Sequence, residues 1–364
     1  MGDSSILRGI APPVVRPHLP DFFDQPAMEE TRATCASCAM CLQPGEAPVP
    51  GTEHFIEGAK CCTYEPTLPN FLVGAILADE DPALAEGQRR IRAKIASRRE
   101  VSPTWVCSTR KYRVLLDASR TTSFGRSTAL LCPYFDEGRC TIWKHREAVC
   151  STFFCKHVAF AYGHAFWRAL KSFLGHTETA LAMWAQAEVD PAVPVTEMAR
   201  LPLTIADIED RAPDEATYAA SWGTWLGREE AFFRACRDAV ERMDAATFRK
   251  VVLETEKGQA VSEILRIAYE RATRPVLAER LIPADDLRPA KVAGPNGDNF
   301  VVIPYSSYDA QQLSESLWLV VNELRAEEAV SDFVDRIRRE HEVEVPKELL
   351  LQLQVMGIIV PPEA

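Results

Sequence analysis

The sequence predicts a helix-rich α+β protein, and three patterns carry that expectation. Nine cysteines fall into two dense groups, Cys35, Cys38, Cys41, Cys61 and Cys62, then Cys132, Cys140, Cys150 and Cys155, in a stretch broken by turn residues. From His157 to about Arg274 apolar residues recur at three and four, the period of an amphipathic helix. The tail from residue 291 reads as strand, three helices, strand. A chain of 364 residues, 47% hydrophobic and 26% charged, can bury these elements in two or three packed domains without disulfide staples.

Residues 1–30 are proline-rich and lack periodicity, which predicts an extended arm lying on the body or loose in solvent. Residues 31–156 form a cysteine-rich domain of short strands and loops, because thiolate loops replace part of its core. One helix is expected near Pro82–Arg99 and a β-like run at Tyr112–Leu116. Residues 157–290 form a helical domain. Val158, Ala161, Tyr162, Ala165, Phe166, Ala169, Leu170 and Phe173 mark one helix ending near Gly175, and Thr177–Val189 and Gly227–Met243 repeat the pattern. Cys236 shares a face with Phe232, Ala235, Ala239, Val240 and Met243, which makes it a core cysteine.

Residues 291–364 are the last domain. Gly294-Pro295-Asn296-Gly297-Asp298 reads as a tight turn and Asn299–Pro304 as a strand. Helices follow at Asp309–Arg325, Ala329–Glu340 and Pro346–Met356, and Gly357-Ile358-Ile359-Val360 closes as a strand. That order suits a small winged-helix-like unit. With Leu313, Leu317-Trp318, Val330, Phe333, Leu353 and Gly357-Ile358-Ile359, the tail also resembles the PqqD-like domains that bind peptides in peptide-modifying systems.

A formal charge of −11 argues against a general nucleic-acid or anionic-membrane surface, since both demand basic patches. The basic run Arg89-Arg90-Ile91-Arg92-Ala93-Lys94 reads as a solvated helix face, with an RNA-contacting patch as the alternative. The N-terminus has no continuous apolar segment and no run of about eighteen apolar residues occurs, so the expectation is a cytoplasmic protein without a membrane span. Thiols stay reduced in that compartment. A cysteine cluster there is metal-binding or catalytic rather than a disulfide framework.

Cys35-Ala36-Ser37-Cys38-Ala39-Met40-Cys41 spaces three sulfurs by two residues each, with small residues that let the backbone curl around a centre. Ferredoxin-type loops use the same spacing and close with a cysteine before proline, as at Cys132-Pro133. Cys140 follows the Gly138 turn, and Cys150 and Cys155 straddle Phe153-Phe154, an apolar pair able to shield a centre from water. His54 and His157 lie close enough in sequence to add a nitrogen ligand, although as loop or helix-surface residues they need no such role. Cys107 stands apart and reads as structural.

CxxCxxC, a vicinal CC pair, then CPYFDEGRCTIW and CSTFFC together resemble the YkgJ-type cysteine-cluster family, described as zinc- or iron-chelating and distantly similar to flagellin lysine methylases. Cys35, Cys38 and Cys41 match the first element, and Cys132, Pro133, Gly138, Cys140, Ile142, Trp143, Arg146, Cys150, Phe153 and Cys155 the later ones. The family's vicinal pair follows directly on the first element, whereas here it is displaced to Cys61-Cys62, and Glu147 stands where proline is usual. The resemblance implies metal binding by these nine cysteines, with an iron–sulfur cluster, [4Fe–4S] first, ahead of zinc and of two separate centres. No glycine-rich cofactor loop, CxxxCxxC, GxSxG, HExxH or phosphate-binding loop is present. Two function classes stay open: an iron–sulfur protein that modifies a protein or peptide substrate, and a zinc-binding structural or sensing protein without turnover.

Overall fold

Alternating short strands and helices in the first third of the chain give way to long helices and then to a small sheet, as the apolar spacing dictates. The computed structural model describes residues 6–33, 38–42, 45–47, 53–195, 203–285, 287–294 and 297–362. The helices are α1 (Asn70–Ala78), α2 (Ala85–Ser97), α3 (Arg110–Ser123), α4 (Ala148–Thr152), α5 (Phe160–Val189), α6 (Ile205–Ile208), α7 (Glu215–Trp222), α8 (Glu229–Arg242), α9 (Ala245–Phe248), α10 (Glu256–Thr273), α11 (Glu315–Asn322), α12 (Val330–His341) and α13 (Lys347–Met356). The strands are β1 (Leu68–Pro69), β2 (Trp105–Val106), β3 (Phe135–Asp136), β4 (Arg139–Cys140), β5 (Ile282–Pro283), β6 (Ala290–Gly294), β7 (Gly297–Val302), β8 (Gln311–Ser314) and β9 (Ile359–Val360). This is a helix-rich α+β protein with few, short, antiparallel strands. Where the sequence suggests four successive segments, the backbone groups into two units, each assembled from three stretches. Unit 1 is Met1–Met28, Phe55–Phe153 and Leu170–Ser262, and unit 2 is Glu29–His54, Phe154–Ala169 and Glu263–Ala364. Among the described residues no helix is long and apolar enough to cross a membrane.

In unit 1, α1 is buried on nearly every side and packs along α8. Its N-terminal Asn70 is fully buried and satisfied, donating to the Pro103 and Ala182 carbonyls at 3.1 and 2.9 Å and accepting from the Phe71 amide at 2.7 Å. Trp222 sets its ring edge-on to Phe232 and Phe233 of α8, and Cys236 lies in the same core as expected. The N-terminal arm is packed rather than loose. Three short 3-10 helices, Leu7–Ile10, Arg16–His18 and Asp21–Asp24, bury Leu7, Val15, Leu19 and Phe23. The Arg8 guanidinium ties them together, donating to the Arg16 and Leu19 carbonyls at 2.7 and 2.8 Å and pairing with Asp24.

Two sequence expectations are corrected here, and the basic run of α2 finds its partners. The run Tyr112–Leu116 is helical within α3, not a strand: Thr109 Oγ1 accepts the Tyr112 amide at 3.3 Å, and Leu116 is buried while Val114 and Leu115 face outward. The helix expected to stop near Gly175 continues as one 30-residue α5, because nothing clashes at the glycine and no left-handed cap forms there. Its first ten residues belong to unit 2 and the rest to unit 1. The basic run of α2 is spent on ion pairs: Arg89 and Arg90 on Glu86, Arg90 also on Asp136, Arg92 on Glu230 and Lys94 on Glu65.

In unit 2, β6, β7 and β8 form an antiparallel sheet in that order, with Phe300 opposite Lys291 and Leu313, and β5 pairs with β9. Gly294 faces Gly297 across the expected turn, whose Pro295 and Asn296 lie outside the described residues. The helix expected from Asp309 begins at Glu315 instead. Gln311–Ser314 extends as β8 because Leu313 alone of the four is buried, the alternation of a one-sided strand. Helices α11 to α13 close a core around Val321, Phe333, Ile337, Leu350, Leu353 and Ile358, and Gly357 ends α13 at φ 77°, where a side chain would be strained.

Two predictions follow from unit 1. A Cβ on Gly74 would sit 2.0 Å from the Phe233 carbonyl oxygen, a backbone atom that cannot move aside. Gly74→Ala is expected to destabilise the protein by about 3 kcal/mol in urea melts. Asp79, near the end of α1, accepts from Lys144 at 2.6 Å, His145 at 2.8 Å and the Asp81 amide at 3.0 Å. Burial pushes its carboxyl up, but these donors outweigh burial and hold it down at about 2. A lowered folded pKa gives stability that is present above the unfolded value and lost as pH falls through the folded one. Asp79→Asn should therefore cost about 2 kcal/mol at pH 7, with the deficit shrinking between about pH 4 and 2 in pH-dependent melts.

Candidate metal centre

Unit 1 carries Cys61, Cys62, Cys132, Cys140 and Cys150, and three local devices place them. The first is a tight turn in which the Ala59 and Lys60 amides both donate to the Ile56 carbonyl and the Cys62 amide to Ala59. Buried Phe55 and Ala59 anchor it, and the Cys61 thiol hydrogen-bonds to Cys62. The second is the β3–β4 hairpin. Glu137 at φ 44° and Gly138 at φ 81° supply the two positive values that a two-residue hairpin turn needs, and Cys140 pairs opposite Phe135. Arg90 grips this hairpin, donating to the Pro133 and Phe135 carbonyls at 2.7 and 2.8 Å. The third is the short α4, where the Glu147 carboxylate accepts the Val149 and Cys150 amides at 2.6 and 3.0 Å. Glu147 is thus the cap of the turn that holds Cys150.

The Cys132 amide donates to the Cys62 carbonyl at 2.7 Å, which joins the first two devices. Tyr112 reinforces the join. Its hydroxyl accepts the Glu65 amide at 2.9 Å and lies 2.7 Å from the Thr63 carbonyl and 3.1 Å from that of Leu130, with one proton to serve both. Nothing in the sequence assigns Tyr112 this role, because the β-like reading of its segment hides the helix that aims it.

The acids around these thiols outnumber the cations. Burial pushes the Cys132 thiol up, with the Cys140 charge adding to it, and burial, Glu147 and Cys132 push Cys150 well up. The Cys61 thiol is raised by its bond to Cys62 and then by burial. Tyr64 is raised by burial and by the charges of Glu147, Cys150 and Glu178. Glu147 and Glu178 are both buried and both raised, Glu178 far more, by burial and then by Glu147. The Glu178 Oε1 atom is buried and has no hydrogen-bond partner. Arg146, stacked 3.4 Å above the Trp143 ring and donating to the Cys150 carbonyl at 3.0 Å, lowers both Cys61 and Glu147. Cys107 is buried beyond this group and pushed up to about 12 by burial, consistent with a structural role.

Unit 2 carries Cys38, Cys41 and Cys155, and Cys35 lies outside the described residues. Cys38 and Cys41 share one turn, with the Cys41 amide donating to the Cys38 carbonyl at 3.1 Å. Cys155 is buried. The chain before the CxxCxxC run is clamped: Glu30 accepts the Val158 amide and the Trp167 indole N–H, both at 2.6 Å, and Arg32 donates to the His157 carbonyl at 2.8 Å. Arg32 also makes a two-pronged pair with buried Asp309, both contacts at 2.7 Å. Neither Glu30 nor Arg32 is marked by any motif.

The structure therefore brings Cys132, Cys140 and Cys150 into one electrostatic neighbourhood, with the Cys61–Cys62 backbone bonded to it, and sets Cys38, Cys41 and Cys155 in unit 2. Among the described residues, no group of three or more histidine, cysteine, aspartate or glutamate side chains is gathered closely enough to hold a metal ion. No protein-family model matches the sequence, and no curated protein or solved structure matches it.

Tyr112→Phe removes the hydroxyl but keeps the ring, leaving the Glu65 amide and two carbonyls without their partner. Its expected cost is about 2 kcal/mol in thermal or urea unfolding, with faster cysteine alkylation at the Cys62 and Cys132 loops read by mass spectrometry.

Proposed function

We propose that this chain is a metal-binding cysteine protein in which Cys132, Cys140 and Cys150, joined by Cys61 and Cys62, hold an iron–sulfur cluster used in protein or peptide modification. The observation that carries the reading is the gathering of Cys132, Cys150, Tyr64, Glu147 and Glu178, each shifted towards its protonated form by burial and by neighbouring acids, with Arg146 beside them. Buried thiols, phenols and carboxyls that raise one another ionise more readily beside a cation, and a metal would supply such a charge. The donor set fits chemically, since thiolates suit iron–sulfur centres and zinc alike. Loading has to draw the loops inward to ligand distance, a coupling of binding to folding that is ordinary for thiolate sites. When bound, the cluster supplies electron transfer or substrate activation, while Arg146, Glu147 and Tyr112 fix the loops that present the sulfurs.

The resemblance to the YkgJ-type family adds the iron–sulfur preference, and the PqqD-like pattern of the tail adds the peptide. That second support is the weaker one. Leu313, Val330, Phe333, Leu353, Ile358 and Ile359 are all buried, so packing alone accounts for them. A structural zinc is the second reading, favoured by the burial of Cys132, because structural sites are closed to solvent.

Anaerobic purification followed by iron, zinc and sulfide analysis decides between them. The expected result is brown protein with acid-labile sulfide, and near-complete loss of iron in Cys132→Ser and Cys150→Ser with helical circular dichroism retained. Colourless protein with one zinc, released by the same substitutions, would replace the cluster by the structural reading.

A further inference from the structure

His157 and His164 form a second group of potential ligands, set wholly within unit 2. His157 is 2% exposed and its Nδ1 is buried without a hydrogen-bond partner. A core imidazole normally has both nitrogens satisfied, so an orphaned one calls for a ligand. Its ring centre lies 5.2 Å from that of His164. Two imidazoles on one tetrahedral ion, with metal–nitrogen bonds of about 2 Å, have their ring centres about 5 Å apart. The observed spacing admits such an ion between the two rings.

The surroundings hold the pair ready. Gly163 leaves room for His157 against the first turn of α5, since a Cβ there would come within 3.1 Å of the His157 Cβ. Tyr305 closes one side, its ring 5.8 and 5.6 Å from the two imidazoles and its hydroxyl committed to Asp309. Arg32 fixes the His157 carbonyl and has its charge offset by the paired Asp309 carboxylate.

We propose that His157 and His164 bind a borderline divalent cation of the zinc class, with its remaining positions open to solvent or an incoming ligand. The site is independent of the thiol centre proposed for unit 1.

Cobalt(II) titrated anaerobically into the full-length protein is the test, because its spectrum separates the two sites. Thiolate ligation gives intense near-ultraviolet charge-transfer bands, and nitrogen–oxygen ligation gives only weak visible bands. His157→Ala and, as a second variant in a less buried position, His164→Ala are each expected to weaken one cobalt equivalent at least about tenfold while leaving any thiolate bands unchanged. Wild-type cobalt stoichiometry and affinity in both folded variants, with only a lowered melting temperature, would overturn the proposal and leave His157 a packing residue. Loss of thiolate bands in the wild-type protein would instead count against the unit 1 centre alone.

Discussion

A buried acid must keep its proton or meet a cation, and that constraint governs unit 1. Glu147 caps α4 by accepting two amides, and these hydrogen bonds favour its carboxylate form against the burial that raises it. Glu178, raised well up by burial and by Glu147, favours its protonated form beside that cap. With Glu147 charged, Cys150 and Tyr64 are held protonated in turn. The position of Cys150, the stacking of Arg146 on Trp143 and the protonation of the neighbouring thiols are consequences of one charge placed where few cations reach. Any divalent ion entering this neighbourhood gains more from the existing charge than it would from thiols in an apolar pocket.

Local chemistry was legible in the sequence where it depends on short spacing. The Gly138 turn, the helix following Pro82, the core position of Cys236 and the Gly357 stop of α13 are each set by one or two residues and their immediate neighbours. What could not be read depends on contacts far apart along the chain. Tyr112 looks like a strand residue until Thr109 caps a helix before it, and only then does its hydroxyl reach Thr63 and Leu130. Arg90 reads as one charge in a basic run, yet beyond its local pair with Glu86 it reaches carbonyls more than forty residues away. Glycine is a helix stop only when the chain turns left-handed at it, which Gly357 does and Gly175 does not.

The tail illustrates a different limit. A pattern of apolar residues shared with a peptide-binding domain is also the pattern of a small sheet packed on three helices, and in unit 2 every position of it that is buried is explained by that packing. Leu317 and Trp318 are only partly buried, and Trp318 stacks on Phe300 of β7 at 5.3 Å. Residues that make a core report fold, and binding has to be argued from the ones the core does not consume.

The displaced vicinal pair is where sequence and structure most change each other's meaning. By spacing, Cys61 and Cys62 belong with Cys35, Cys38 and Cys41. By backbone hydrogen bonding, Cys62 belongs with Cys132, whose amide it accepts at 2.7 Å, and Tyr112 and Thr63 secure the same junction. A ligand set is defined by which loops the fold fastens together, and loop-closure cost rises only slowly with the length between them. The separation of Cys61-Cys62 from Cys132 along the chain therefore costs little so long as this junction forms. The junction, rather than spacing in the sequence, brings the vicinal pair to the loop of Cys132.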